Sequence, residues 1–384
     1  MIKYLGSKRT LIPLILEVIR RAAGPARTVL DPFSGTARVG HALKSAGYRM
    51  IAGDSNAYAA TLARCYVQAN REDVEADAGR LVREFNALPG RPGYFTETFC
   101  ERSRFFQPGN GARVDAIREA IAARALPPDL EAVMLVSLME AADRVDSTAG
   151  VQMAFLKSWS ARSYHDLTLR VPDVLPQAAA GPGEAHLLDA LECARRFEAD
   201  VAYLDPPYNQ HSYLGNYHIW ESLVRWDKPP VYGVACKRND CRERTSVFNS
   251  RPRFARAFRN LLETIRAETL IVSFSNEGFL SRTDMETLLA SLWEGQARVV
   301  TLAHDYKRYV GAQIGIYNPR GEKVGRVSHL RNTEYLFVVS RKDLSDRFAD
   351  LTSPRTPRAV RARPPRGSRA AAPRTPEVRG AAGC

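Results

Sequence analysis

No apolar run in the 384 residues approaches the ~18 that a membrane-spanning helix needs. The opening MIKYLGSKRT lacks the apolar core of a signal peptide, so a cytoplasmic protein is expected. Cysteine is sparse: Cys65, Cys100, Cys193, Cys236, Cys241 and Cys384 are scattered through the chain, which fits a reducing compartment rather than a disulfide framework. Cys236 and Cys241 lie close in sequence but have no second pair nearby, so no zinc site, and no metal of any kind, is expected. Neither phosphate-binding fingerprint is present. The G-x-G-x-x-G spacing of dinucleotide binders is missing, and KYLGSKRT lacks the upstream glycine of a P-loop and the strand that would precede it.

What the chain has is positive charge, +13 overall at 45% apolar content. The stretch from Pro354 to Cys384 holds eight arginines and one glutamate. Residues 351–384 are rich in Arg, Pro and Ala and cannot build a core; they read as a disordered basic tail, either inert or a loose contact to nucleic acid. The remaining +6 belongs to the folded part. A basic protein without a membrane segment points to a polyanionic partner, and nucleic acid is the commonest one.

Periodicity gives an α/β protein. A helix over residues 8–23 is followed by a strand Thr28 to Leu30, a helix closed by Gly47, a strand ending at Asp54, and another helix. This β-α-β-α order signals a parallel, doubly wound sheet. From Arg71 to Gly183 the chain turns mainly helical and polar, with PDLEAVMLVSLMEAADRVDS apolar almost all round and so buried. The sheet pattern resumes with a strand near Asp189, a buried strand Val201 to Leu204, a helix, another buried strand in TLIVSFSN, and a closing antiparallel pair with a basic tip, DYKRYVGAQIGIYN. The division expected is a catalytic domain over 1–70 and 185–345, with 71–184 inserted at the ligand-binding edge as a recognition domain.

Three acids end strands. Asp31 in LDPFSGTARVG precedes a glycine turn and a helix start. Gly35 lets a ligand approach the backbone, and the carboxylate suits a ligand ammonium group. Asp54 in AGDSN occupies the place where an acid holds ribose hydroxyls. A ligand with a ribose and an ammonium group but no phosphate is described well by S-adenosylmethionine. Tyr4 and Lys8 either close over that ligand and grip its carboxylate or form an ordinary basic terminus. Asp205 opens DPPY: the prolines stiffen the turn and bare carbonyl oxygens, so a carboxylate and a carbonyl can take both hydrogens of one exocyclic amine. Tyr208 adds a flat face for a base. After it come Lys237, Arg238, Arg242, Arg244, Arg251, Arg253, Arg256 and Arg259, which read as phosphate contacts or as a solvated basic face.

KYLGSK, DPFSGTA, GDSN and DPPY, in this order over roughly 1–70 and 185–340, resemble the D12 class, Dam-like DNA adenine N6-methyltransferases. The resemblance implies a Rossmann-like methyltransferase sheet with an inserted recognition domain and base flipping out of double-stranded DNA. It further implies S-adenosylmethionine contacts at Tyr4, Lys8, Asp31, Phe33, Gly35 and Asp54, with Asp189 bounding the cofactor adenine. Asp205, with Pro206 and Pro207, would take the target amine beside the cofactor, and Tyr208 would stack on the target base. A restriction endonuclease is a conceivable partner. The chain departs from the family's D-x-F-x-G-x-G at Ala37, which stands where the last glycine is usual. Rival readings are an RNA base methyltransferase, a cytosine N4 enzyme, which more often has serine at Asp205, and a DNA-binding module with a decayed cofactor site. Thermal shift with S-adenosylmethionine separates the last from the others.

Overall fold

The computed structural model describes residues 1–24, 27–307, 316–317, 323–325 and 331–352. Seven strands form one sheet: β1 (Thr28–Asp31), β2 (Arg49–Asp54), β3 (Glu184–Leu187), β4 (Glu198–Leu204), β5 (Arg266–Ser275), β6 (Arg298–Lys307) and β7 (Arg331–Ser340). Their spatial order is β3-β2-β1-β4-β5-β7-β6. The first five are parallel, and β7 runs antiparallel to both β5 and β6. The strand order reverses direction between β1 and β4, the place where doubly wound sheets open a ligand crevice at their carboxyl ends.

Alternation along the strands explains the layering. Val29, Val201, Tyr203, Ile271, Leu336 and Val338 face one core, while Leu30, Ala202, Leu204, Leu270, Val272, Phe337 and Val339 face the other. Both faces are apolar because helices cover both, as a parallel sheet requires. Helix α1 (Ile12–Ala23) inserts Ile15, Val18 and Ile19 into the first core. Helix α2 (Arg38–Ser45) follows β1, and α3 (Ala57–Ala63) follows β2.

The helical stretch foreseen after Arg71 lies in the crossover between β2 and β3. It contains α4 (Arg71–Asn86), α5 (Pro108–Ala123) and α6 (Pro128–Arg144). Helix α6 is buried nearly all round, as its composition predicts. Phe85, Phe99, Phe106, Ile117 and Val133 join Tyr58, Leu62 and Trp220 in one continuous core. The crossover is thus built onto the sheet's first face, within one compact unit, Met1–Thr352. The closing antiparallel pair is as expected, but most of its basic tip, and the tail beyond Thr352, fall outside the described residues.

Candidate active site

The carboxyl ends of β2, β1 and β4 bring Asp54, Asp31 and Asp205 to the wall of one cavity of about 620 Å³, a size typical of ligand pockets. Asp31 accepts the Phe33 N–H at 3.1 Å and is buried. Burial pushes its carboxyl up to about 8, the Phe33 bond opposes this, and the charges of Asp205 and Asp54 add to it. Asp54 accepts Gly35 N–H at 3.1 Å on Oδ2 and Asn56 N–H at 2.9 Å on Oδ1. Burial raises it to about 6 against those bonds. A wall with three acids favours a cationic guest, since each buried carboxylate is costly to ionise alone.

Lys8 does not face the cavity as a free cation. Its buried Nζ lies 3.0 Å from Asp205 Oδ1 and 2.7 Å from Glu334 Oε1 on β7. Ser273 Oγ donates to the same Glu334 oxygen at 2.6 Å. Burial disfavours the ammonium, but Asp205 and Glu334 outweigh it and hold the lysine protonated, well above its ordinary value. Asp205 is raised to about 6 by burial, with Lys8 pulling it back. Lys8 lines the cavity with its ammonium paired to two protein acids.

Tyr4 is likewise engaged. Its ring is stacked between Tyr213 (5.1 Å, 6°) and Tyr217 (4.6 Å, 15°), and its hydroxyl meets that of Tyr58 at 3.2 Å. It also lines the cavity and backs Gly35, where a Cβ would come within 3.6 Å of the ring. Phe33 meets Phe248 edge-on (5.1 Å, 87°) and, with Leu191, Val247 and Leu261, gives the cavity an apolar side. Asp189 sits on its rim and caps the helix Ala190–Arg196 through Leu191 N–H (2.8 Å) and Glu192 N–H (3.0 Å), both on Oδ1. Pro207 lines the cavity. Pro206 is buried beside it, and Tyr208 packs edge-on against Phe274 (5.4 Å, 61°) with its carbonyl accepting Phe279 N–H at 3.0 Å.

The model of the D12 class N6 adenine-specific DNA methyltransferases matches residues 4–283. The chain belongs to this family. Curated relatives include the type II methyltransferase M.NlaIII of Neisseria lactamica, 27% identical over 88% of this chain and 99% of the relative. M.CviAII of Paramecium bursaria Chlorella virus 1 is 27% identical over 88% and 98%, respectively. M.FokI of Planomicrobium okeanokoites is 28% identical over 75% of this chain and 47% of that longer protein. The protein is an enzyme, an adenine-specific DNA methyltransferase: it acts on DNA and uses a methyl donor.

Within this D12 methyltransferase the departure at Ala37 has a conformational meaning. Gly35 has φ +50 and Ala37 φ +58, both left-handed. A side chain at such a position costs about 1 kcal/mol, so glycine is the easy choice at each. Ala37 keeps the turn, donating its N–H to Ser34 O at 2.7 Å, and starts α2 without a side-chain cap.

The proposed phosphate contacts need correction. Arg238 is buried and clamps Asp227 (2.7 and 2.8 Å) and Asp240 (3.0 and 3.1 Å). Arg244 bonds Glu221 at 2.9 Å and Ser55 O at 2.9 Å and lines the cavity. Arg242 lies 3.8 Å over the Tyr232 ring, and Lys237 is half-buried. Asp240 within the run, and Asp227 and Glu221 ahead of it, neutralise part of what looked like a basic run. Arg251, Arg253, Arg256 and Arg259, on the helix Arg251–Thr264, remain exposed.

Sequence reasoning missed Glu334, whose one signal is an acid at the head of an apolar strand. It also missed Tyr213 and Tyr217, just beyond DPPY, and Phe248. Among the described residues no group of three or more metal-ligating side chains occurs, and no helix is long and apolar enough to cross a membrane.

Proposed function

We propose that S-adenosylmethionine occupies the 620 Å³ cavity and that the enzyme methylates N6 of an adenine flipped out of double-stranded DNA into the DPPY turn. The observation that carries this reading is the alignment of Asp54, Asp31 and Asp205 on one cavity wall, with Asp205 tethered by Lys8. The wall suits the cofactor: acids for its cationic centres, an apolar side beside Phe33 and Phe248 for its base, and two buried hydroxyls, Ser7 Oγ and Ser34 Oγ, that have no partner among the described residues. Asp54 would hold the ribose, Asp31 the ammonium end, and Asp189 the edge of the cofactor adenine.

When bound, the cofactor supplies a methyl group already activated on a sulfonium. The chain's own task is to prepare the amine. Lys8 occupies Asp205 Oδ1, leaving Oδ2 to accept one amine hydrogen while the Pro206 carbonyl accepts the other. The nitrogen lone pair is thereby localised and aimed, and Oδ2 is placed to receive the proton the nitrogen gives up. Most of the rate would come from positioning and preset electrostatics. Tyr208 would stack on the target base, repaying part of the flipping cost with about 1–3 kcal/mol. Residues 71–184 would read the site, and Arg251, Arg253, Arg256 and Arg259 would meet phosphates. A companion restriction endonuclease and cytoplasmic action belong to the same proposal. Expression in a methylation-free host, followed by single-molecule modification sequencing, tests it: N6-methyladenine in one short motif, lost in Asp205→Ala, is expected. Cytosine N4 marks, or an unmarked genome from an enzyme that binds cofactor, would overturn it.

A further inference from the structure

Cofactor carboxylates need a cation, and the structure narrows which one. This rests on the reading that the cavity holds S-adenosylmethionine. Among the described residues three basic side chains line the cavity: Lys8, Arg38 and Arg244. Lys8 is paired with Asp205 and Glu334. Arg244 is paired with Glu221 and Asp240. Arg38 has no carboxylate partner among the described residues. Among the same residues it donates one bond, from Nη2 to Ile2 O at 3.1 Å, and its buried Nε has no partner.

The surroundings of Arg38 are built for an anion. It is the first residue of α2, whose N-terminus carries no side-chain cap and no acid in its first turn. The first N–H groups of a helix favour negative charge. Ser34 Oγ, in the turn just before, is also buried on the cavity wall without a partner, and so is Ser7 Oγ on the N-terminal segment that Arg38 holds through Ile2. Burial and the nearby Arg9 charge push the guanidinium below its ordinary value, opposed by Tyr66, Glu140 and Asp143, none of which pairs with it.

We infer that Arg38, with the N-terminus of α2, binds the carboxylate of the cofactor's amino-acid end, leaving Lys8 to serve Asp205. The site separates the ligand's charges: carboxylate toward α2, ammonium toward Asp31.

The test is calorimetry with two probes that differ only by the carboxylate, S-adenosylmethionine and its decarboxylated analogue. The wild type should prefer the carboxylate form by on the order of 10–100-fold, the scale of a charge-assisted contact. Arg38→Met and Arg38→Gln should lose that preference while binding the decarboxylated probe as the wild type does, which also reports that the cavity is intact. Gln can keep the bond to Ile2 O. Equal wild-type affinity for both probes would overturn the inference and leave the proposed cofactor standing. No wild-type affinity for S-adenosylmethionine would overturn the proposed cofactor itself. Preference lost in Lys8→Met but kept in the Arg38 variants would return the carboxylate to Lys8. Preference kept with DNA affinity lost in the Arg38 variants would make Arg38 a phosphate contact instead.

Discussion

Lys8 and Glu334 stand 326 positions apart in sequence and 2.7 Å apart at their charged ends. Glu334 is fixed in turn by Ser273 Oγ, and Lys8 reaches on to Asp205. A strand at the far side of the sheet thus steadies the carboxylate of DPPY. Glu334 is a positioning residue: it touches no reacting atom but holds the lysine that holds Asp205. Glu334→Gln keeps an acceptor for Ser273 and removes the charge that secures Lys8. We expect kcat to fall by about 10–100-fold, the scale of a small misplacement at the reacting centre, with cofactor affinity nearly unchanged and partial recovery in Glu334→Asp. A loss confined to cofactor affinity would place Glu334 outside this role.

That relationship also marks where the sequence stops being readable. Asp31, Asp54 and Asp205 stand out because each follows a buried strand and opens a turn, so local pattern alone puts them at one edge. The alternation of strands and helices and the closing antiparallel pair follow from the same local signals, whereas the spatial order of the strands does not. Lys8 is visible as a basic residue, but its partners are 197 and 326 positions away, and no local pattern reports such a pairing. Arg238 misleads for a related reason. Counting arginines between 237 and 259 ignores Asp227 and Asp240, which pair with it.

Ala37 is strained by its left-handed backbone yet has a fully buried methyl group. Glycine there would relieve about 1 kcal/mol and forfeit about 0.8 kcal/mol of methyl burial. Ala37→Gly should therefore change the urea-unfolding free energy by less than about 0.5 kcal/mol. Ala59, equally buried inside α3, has no strain to relieve, and Ala59→Gly should cost about 1.5–2 kcal/mol from propensity and burial together. Equal costs at the two sites would show that the turn at Ala37 carries no strain.

The raised acids make the empty enzyme lose stability with alkali. Asp31 at about 8 keeps a proton that the unfolded chain, near 3.9, has already released. Over that interval the native state binds more protons than the unfolded state, so stability falls as pH rises from about 4 to about 8. Asp54 and Asp205 act in the same sense only up to about 6. His218, held neutral by burial at about 3, acts in the opposite sense up to its ordinary value near 6.5. Lys44, lowered by burial to about 8, opposes Asp31 only toward the upper end, so the interval from about 6.5 to 8 is left mainly to Asp31. Urea midpoints without cofactor should fall across it in the wild type and fall much less in Asp31→Asn. Parallel slopes would mean that Asp31 is ionised throughout.

Arg238 and the arginine pair Arg251 and Arg253 should separate stability from DNA binding. Arg238→Ala leaves Asp227 and Asp240 without their shared partner and opens a buried volume. Both acids keep some exposure, so the cost should fall below that of a fully buried pair, at about 2–3 kcal/mol. Salt dependence of DNA affinity should be unaltered, because a clamped guanidinium releases no counterion. Arg251 and Arg253 are exposed on the helix that follows the DPPY region. Their alanine variants should unfold at the wild-type urea midpoint and weaken DNA uniformly across sequences. Each should reduce the slope of log affinity against log salt by about 1. Titration of a labelled duplex at several salt concentrations reads that slope directly. An unchanged slope in both exposed variants would take this helix off the DNA, and a reduced slope in Arg238→Ala would show that its clamp opens when DNA binds.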